Sequence, residues 1–337
     1  MSSPVKIKAA LCGNDLWQLE RVFSQGRREF LEILADLNPT PITKTNFSQR
    51  IDELKNVEVC FATWGMDPGL ALLIRELPKL RACFYAAGSV QAFARPLLEK
   101  EILVVSAWAA NAIPVAQFAL SQILLSLKGY FRNVRETRLP SQRGKALDPK
   151  APGIFGGVVA LLGCGKVGRT LVELLRPFSV DVLVYDPFLT EGEAEVLGVQ
   201  KVSMEVAFAS AHIVSNHLAD LPPTRGLLGG QLFRSMRQGA TFINTGRGAT
   251  VVEADLIATL RQRSDLTALL DVTSPEPPEP DSPWYTLENV HLSSHIAGSQ
   301  GNEVVRMADY CLEEFEAWCK GKPLRFAVTL PMLENMA

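Results

Sequence analysis

Of the four histidines, His212, His217, His291 and His295, only His295 stands among small residues, in SSHIAGS just beyond a strand-like run. Its small neighbours and Gly298 leave room beside the imidazole for a ligand. Imidazole changes charge near neutral pH, so the chemistry on offer is proton transfer. Glu276 falls in the proline-stiffened segment DVTSPEPPEP. A carboxylate from that loop that reached His295 would favour the protonated ring and set its tautomer; without that partner it is a solvated loop acid. Arg247, in INTGRGA, follows a strand and is flanked by glycines that bring backbone and side chain close to a bound molecule. A guanidinium fork there suits a carboxylate. By holding both oxygens of a 2-keto acid it would fix the carbonyl carbon as well as supply charge.

Residues 158–186, VVALLGCGKVGRTLVELLRPFSVDVLVYD, read as strand, glycine-rich turn, helix and second strand closing on a carboxylate. In that context Gly163 makes the tight turn, Gly165 lets the backbone approach a pyrophosphate, and Gly168 lets the helix pack on its strand. The free N–H groups around Lys166 and Val167 face the anion. Asp186 is placed to accept hydrogen bonds from ribose hydroxyls, and its charge repels a 2′-phosphate, so the cofactor expected is NAD rather than NADP. A nicotinamide carries the hydride. The protein then has to add only a proton donor, an anchor and an orienting group, and His295, Arg247 and Glu276 fill those roles. Asp271, closing LTALLD, could accept the nicotinamide carboxamide N–H or cap the following turn. His217 ends a strand of the same sheet and is a candidate for the adenosine half of the cofactor. His212 and His291 abut or occupy apolar runs and read as structural.

The elements that position these residues alternate between β and α. KIKAALCG and VEVCFATWG read as buried strands separated by amphipathic segments such as WQLERVFSQGRREFLEILADL. LRACFYAAGSV and ILVVSAW continue the pattern. Their loop ends, Trp64, Gly65, Gly88, Ser89 and Trp108, lie where an open α/β sheet presents its ligand. From Asn111 to about Phe131 a helix-length segment is apolar on almost every face and starts a second domain. The polar, proline-bearing RETRLPSQRGKALDPKAPG reads as a surface excursion. After Asp186 the alternation resumes through HIVSNHL, ATFINTGRG, LTALLDV and NVHLSSHIAG. The segment from GNEVVRMADYCLEEFEAWCKGK onward predicts an amphipathic helix ending near Gly321, with no strand after it, that packs back toward the first domain.

At 337 residues and 47% hydrophobic content the chain can bury two cores. A net charge of −2 offers no general attraction to nucleic acid or to an anionic membrane. The six cysteines are scattered without a CxxC, which points to reduced thiols and a cytoplasmic location. The N-terminus is too short in apolar residues for a signal peptide, and no uninterrupted apolar stretch spans a membrane. No HExxH and no Cys/His cluster supports a metal-dependent hydrolase, so no metal is expected.

GCGKVG with YDP, INTGRGA, LLDVTSPEP and SHIAG, in that order, resemble the D-isomer-specific 2-hydroxyacid dehydrogenases. FYAAGSV and ANAIPVAQFAL are similar to that family's substrate loop and interdomain helix. The resemblance implies an α/β fold of two Rossmann-like doubly wound parallel-sheet domains. A substrate-binding domain would take 1–111 plus 300–337, and an NAD-binding domain 112–299. It also implies that Arg247 binds substrate carboxylate, that Glu276 pairs with His295 as acid or base, and that Thr245 and Asp271 line the nicotinamide end, beside Gly246. Trp64, Gly65, Gly88, Ser89 and Trp108 would complete the substrate side, and the protein would be a homodimer. The chain departs from the family pattern at Gln117, Ala219, Ser293 and Ser294, and in AAGSV, which bears on substrate identity. No Arg or Lys stands in ATWG or AAGSV, so an uncharged-tail 2-keto acid such as glyoxylate, hydroxypyruvate or a larger apolar one is expected. The alternatives are phosphoglycerate, or an NAD(H)-sensing co-regulator without turnover.

Overall fold

The computed structural model describes residues 6–137 and 151–336. Most of the stretch expected as a surface excursion, 138–150, lies outside them. The chain divides into two compact units, Met1–Asn111 with Ser299–Ala337, and Ala112–Gly298.

In the first unit, six strands form one sheet: β1 (Lys8–Cys12), β2 (Asp36–Leu37), β3 (Val59–Ala62), β4 (Ala82–Tyr85), β5 (Leu103–Ser106) and, from the C-terminal segment, β13 (Ala327–Val328). The order is β13-β5-β4-β3-β1-β2, parallel except for β13. β1, β3 and β4 carry continuous apolar runs because both sheet faces are covered by helices. Phe61, Phe84 and Phe315 pack on one another at centroid separations of 5.1 to 5.5 Å, joining the sheet to the helix Val304–Cys319. The strand order reverses between β1 and β3. There Asn14 N–H donates to Gly65 O at 3.1 Å, tying the two loops at the point where such sheets open a crevice.

The second unit holds β6 (Val158–Leu162), β7 (Asp181–Tyr185), β8 (Gln200–Lys201), β9 (Ile213–Asn216), β10 (Thr241–Asn244), β11 (Thr267–Leu270) and β12 (Val290–Leu292), in the order β12-β11-β10-β9-β6-β7-β8 and all parallel. The reversal lies between β6 and β9, the arrangement that binds dinucleotides. One face is filled by Phe208, Phe233 and Phe242. The other is filled by Leu161, Leu171 and Ile243 with the helix Trp108–Leu127. The α/β, doubly wound expectation holds in both sheets.

Three local expectations are corrected. The C-terminal helix is followed by a strand: β13 pairs antiparallel with β5, Val328 opposite Val104. Two residues on a sheet edge leave no periodic signal in the sequence. The apolar segment from Asn111 to Phe131 is two helices, Trp108–Leu127 and Tyr130–Glu136, broken at Gly129, whose φ of 68° is left-handed. The first of these is long and apolar enough to cross a membrane by length and composition. However, Ala116, Ala119, Ile123 and Leu127 lie in the core of the second unit, and Gln117, Ser121 and Leu125 form an exposed stripe rather than a uniformly apolar surface. The amphipathic segment near the N-terminus likewise splits into Leu16–Val22 and Arg27–Leu34 at Gly26.

Candidate active site

The three fingerprint glycines differ in what surrounds them. Gly163 turns the chain after β6 at φ 95°, and a Cβ built on it would lie 3.0 Å from the carbonyl oxygen of His217. On Gly168 a Cβ would stand 2.3 Å from the oxygen of Gly163, so only glycine lets the helix Lys166–Leu175 sit so close to its strand. At Gly165, its chain neighbours aside, no atom of the described residues lies within 4 Å of the corresponding point. Gly165 is also the N-cap of that helix, with no side chain capping it, and Lys166 is exposed beside it. Uncapped N–H groups facing open space make an anion cradle. Asp186 follows β7 and accepts from Cys164 N–H at 2.6 Å and from Phe188 N–H at 2.8 Å, which holds its carboxylate against the loop. Arg169 donates to Cys164 O at 3.2 Å and pairs with Glu193, a carboxylate held down to about 2 by the Thr190 backbone N–H and by this arginine. The open Gly165 face, the uncapped helix and the placed acid fit the diphosphate and ribose of NAD.

His295 follows β12 at φ 57°, a left-handed conformation uncommon for a residue with a Cβ. What holds it there is Asp271. This carboxylate is 2% exposed and accepts from Ser293 Oγ (2.6 Å), Ile296 N–H (2.9 Å) and Ala297 N–H (2.9 Å), while the Asp271 carbonyl accepts from His295 N–H (3.0 Å). Asp271 caps the turn 293–298, more than twenty residues further along the chain, rather than the turn directly after its own strand. The ring of His295 then meets Glu276, Nδ1 to Oε1, at 2.6 Å. A carboxylate oxygen accepts, so Nδ1 holds a proton and Nε2, which makes no hydrogen bond among the described residues, is the nitrogen free to give or take one.

Arg247 follows β10, half-buried. Its guanidinium makes one hydrogen bond, to Gly246 O at 2.8 Å, and no ion pair within 4 Å among the described residues. Burial pulls its pKa down from the ordinary value, and the charges of Asp220 and Glu276 oppose that. It is a cation with donors to spare. Just after it, a Cβ on Gly248 would stand 2.1 Å from the Thr273 carbonyl carbon, so the arginine turn is packed on the base of the loop that carries Glu276.

Asn216, Asn244 and Thr250 were missed by sequence reasoning. Asn216 Nδ2 donates to Asn244 Oδ1 (3.0 Å) and Thr250 Oγ1 (2.9 Å), and Thr250 Oγ1 donates to Arg247 O (2.8 Å). This buried network fixes the arginine backbone. Its signal was present: IVSN and TFIN are neighbouring strands that both end in asparagine, paired in register. His217 bridges Ser215 Oγ (2.9 Å) and Thr245 Oγ1 (3.1 Å), and burial pushes its pKa down to about 4, so it is neutral. His217 and Thr245, expected toward opposite ends of the cofactor, therefore stand side by side. His212 accepts from Val158 N–H at 3.0 Å, a structural contact.

In the first unit, the loop after β4 is anchored by Ser106 Oγ, which donates to Gly88 O at 2.6 Å and Ala87 O at 3.0 Å. Gly88 is half-buried and Ser89 exposed. A Cβ on Gly88 would stand 3.4 Å from Asn111 Nδ2. Gly65, at φ 94°, is packed against Asp15, where a Cβ would come within 2.8 Å. Trp64 is half-buried against the core of this unit, and Trp108 sets its ring edge-on to Phe326 at 5.6 Å.

Residues 121–297 match the D-isomer specific 2-hydroxyacid dehydrogenase, NAD binding domain. The chain is 32% identical over 238 residues to a D-3-phosphoglycerate dehydrogenase of Archaeoglobus fulgidus, an alignment covering 70% of this chain and 44% of that one. It is 28% identical over 278 residues to a glyoxylate reductase of Korarchaeum cryptofilum, covering 80% and 82%. Among solved structures, a phosphoglycerate oxidoreductase from Rhizobium etli superposes with a TM-score of 0.76 at 23% identity, covering 96% of this chain and 97% of that one. The chain spans less than half the length of the phosphoglycerate dehydrogenases it matches. An NAD-binding unit matched along its whole sheet, with kinship at this identity over more than two-thirds of the sequence, makes the chain a member of the D-isomer specific 2-hydroxyacid dehydrogenase family.

Proposed function

We propose that the protein is an NAD-dependent oxidoreductase that interconverts a small 2-keto acid and its D-2-hydroxy acid. The observation that carries this reading is the 2.6 Å contact between His295 Nδ1 and Glu276 Oε1, which leaves Nε2 as the proton-exchanging atom. Nicotinamide, when bound, supplies hydride to the carbonyl carbon or accepts it from the alcohol. His295 holds the proton given to the carbonyl oxygen in reduction and takes it back in oxidation. Glu276 keeps the ring in the tautomer that presents Nε2. Arg247 offers unused donors to the substrate carboxylate. Gly165, with the first turn of Lys166–Leu175, takes the diphosphate, and Asp186 takes the ribose hydroxyls. In this reading Ala112–Gly298 is the NAD-binding domain, and the first unit, through its Gly65 and Gly88–Ser89 loops, is the substrate-binding domain. Homodimerisation belongs to the same reading. So does a cytoplasmic location, which is supported by six unpaired thiols.

The substrate class favoured is an uncharged-tail 2-keto acid of the glyoxylate or hydroxypyruvate type, because neither TrpGly nor GlySer loop carries a cation. Purified protein given NADH and a panel of glyoxylate, hydroxypyruvate, 3-phosphohydroxypyruvate and a bulky aliphatic 2-keto acid should oxidise NADH with the first two and discriminate against the phosphate. His295→Gln should abolish turnover while NADH still binds. Wild-type kcat in that variant refutes the proton-donor assignment. NADH binding with no turnover across the whole panel would favour a co-regulator.

A further inference from the structure

We infer that Glu253 is a positioning residue for the Glu276–His295 pair, acting through both ends of the loop that carries Glu276; this rests on the role proposed for that pair. Glu253 is the first residue of the helix Glu253–Gln262 and is half-buried. Both of its carboxylate oxygens are engaged on one loop. Oε1 accepts from Ser274 N–H at 2.7 Å, two residues before Glu276, and Oε2 accepts from Trp284 Nε1 at 2.9 Å, eight residues after it. Trp284 is 2% exposed and packed in the core of the second unit, so it is a fixed post.

The loop between those points has little else to hold it. Ser274, Pro275, Glu276 and Pro277 are exposed. Inside it Thr273 Oγ1 donates to Pro275 O at 2.8 Å, Ser282 N–H to Glu279 O at 2.9 Å, Trp284 N–H to Ser282 Oγ at 3.3 Å and Tyr285 Oη to Pro278 O at 3.2 Å; none of these bonds touches Glu276. Four exposed residues with no strand or helix of their own would not keep a carboxylate oxygen at 2.6 Å from a ring nitrogen by themselves. The bidentate grip of Glu253 closes a ring of contacts from the helix N-terminus to Ser274, along the loop, and back through Trp284. A carboxylate is the group this geometry requires, because two N–H donors converge on one side chain and each needs an acceptor. An acid at the first turn of a helix is favourable anyway, but that role would engage neither Ser274 nor the indole.

The test uses the full-length protein and two readouts. The first is the pair of ring-nitrogen resonances of His295 in the protein without substrate, from a spectrum of 15N-histidine-labelled protein. Glu276→Gln sets the reference by removing the carboxylate partner. Glu253→Ala is expected to move the His295 nitrogens in the same direction, with the double variant no different from Glu276→Gln alone. The second readout is turnover of glyoxylate or hydroxypyruvate with NADH. There Glu253→Ala should lower kcat at least about tenfold with the KM for NADH within about twofold, because a misplaced donor slows chemistry without touching the diphosphate site. If Glu253→Ala folds poorly, Glu253→Gln and Trp284→Phe keep one of the two bonds, and each should give an intermediate displacement. His295 resonances unmoved in Glu253→Ala, while Glu276→Gln moves them, overturn the proposal and leave the catalytic reading standing. If Glu276→Gln itself leaves the resonances unmoved, the pair is not as read and both fall.

Discussion

Two alanine substitutions three residues apart should have opposite consequences, and the difference follows from the space in front of each Cα. At Gly168 the new methyl would sit 2.3 Å from the Gly163 carbonyl oxygen, more than 1 Å inside ordinary contact, and the obstruction is backbone that cannot rotate away. Overpacking of this kind costs about 1–3 kcal/mol, with the upper end expected against an oxygen fixed by its own strand. The gain in helix propensity, about 1 kcal/mol, does not offset it. The net loss of about 2 kcal/mol lowers Tm by roughly 4–8 °C for a domain of this size. Gly165 presents the reverse case. Its φ of −70° suits any residue, and its Cβ would meet no described residue beyond its chain neighbours. Reduced freedom of the unfolded chain contributes about 0.4–1 kcal/mol, and alanine at an N-cap gives back a similar amount. The Tm of Gly165→Ala should therefore stay within about 2 °C of wild type. What suffers is the cofactor, because the methyl occupies the ground over which the diphosphate must approach the helix N–H groups. Losing one charge-assisted hydrogen bond, about 1.5–3 kcal/mol, weakens NADH binding by about 10- to 100-fold. Scanning calorimetry and an NADH fluorescence titration on both variants decide the matter. Gly165→Ala with wild-type NADH affinity, or with the same loss of Tm as Gly168→Ala, would refute the assignment of these glycines.

Asp271→Asn replaces one acceptor of the turn 293–298 by a donor facing Ala297 N–H, so it should cost about 2–4 kcal/mol in urea unfolding and at least about tenfold in kcat; a fully stable variant would contradict the capping role. Asp186→Ala removes the acceptor for Cys164 N–H and the charge that repels a 2′-phosphate, and the ratio of kcat/KM for NADH over NADPH should fall toward unity. An unchanged ratio would contradict the ribose assignment. Burial holds His217 near a pKa of about 4, below the ordinary imidazole value, so from pH 6.5 down to 4 the unfolded chain takes up a proton that the native state does not. Stability is therefore lost as pH falls, by about 2 kcal/mol at pH 5. His217→Asn should show a smaller drop between pH 7 and pH 5 in urea midpoints, keeping the part due to His212, whose pKa burial also lowers. The acids Glu193 and Asp265, both near 2, act only at lower pH. Equal pH dependence in wild type and variant would contradict a neutral His217.

The parts of the molecule legible in the sequence are those whose cause is local. A buried parallel strand is a short apolar run because both its faces are covered, so β6, β10 and β11 announce themselves. The glycine fingerprint is legible for the same reason: a tight turn, an open approach and a close helix contact are all decided within six residues. Illegible features depended on a partner far along the chain. β13 exists because β5 has a free edge. Asp271 is a cap because the chain returns through Ser293, Ile296 and Ala297 more than twenty residues later. Gly248 reads as one more glycine in a glycine-rich turn, and its requirement appears only when Thr273 arrives 2.1 Å from where a side chain would begin. The three residues proposed for catalysis divide along the same line. Local sequence context suggests what Arg247, Glu276 and His295 are able to do. Their positions are set by residues with no chemistry of their own: Asn216 and Thr250 behind the arginine, Asp271 behind the imidazole, Glu253 and Trp284 behind the acid. Reactive groups on exposed turns need such support, because a loop without secondary structure holds no side chain to the tolerance that proton transfer demands. In this fold the support comes from the strand ends and helix starts at the carboxyl edge of one sheet.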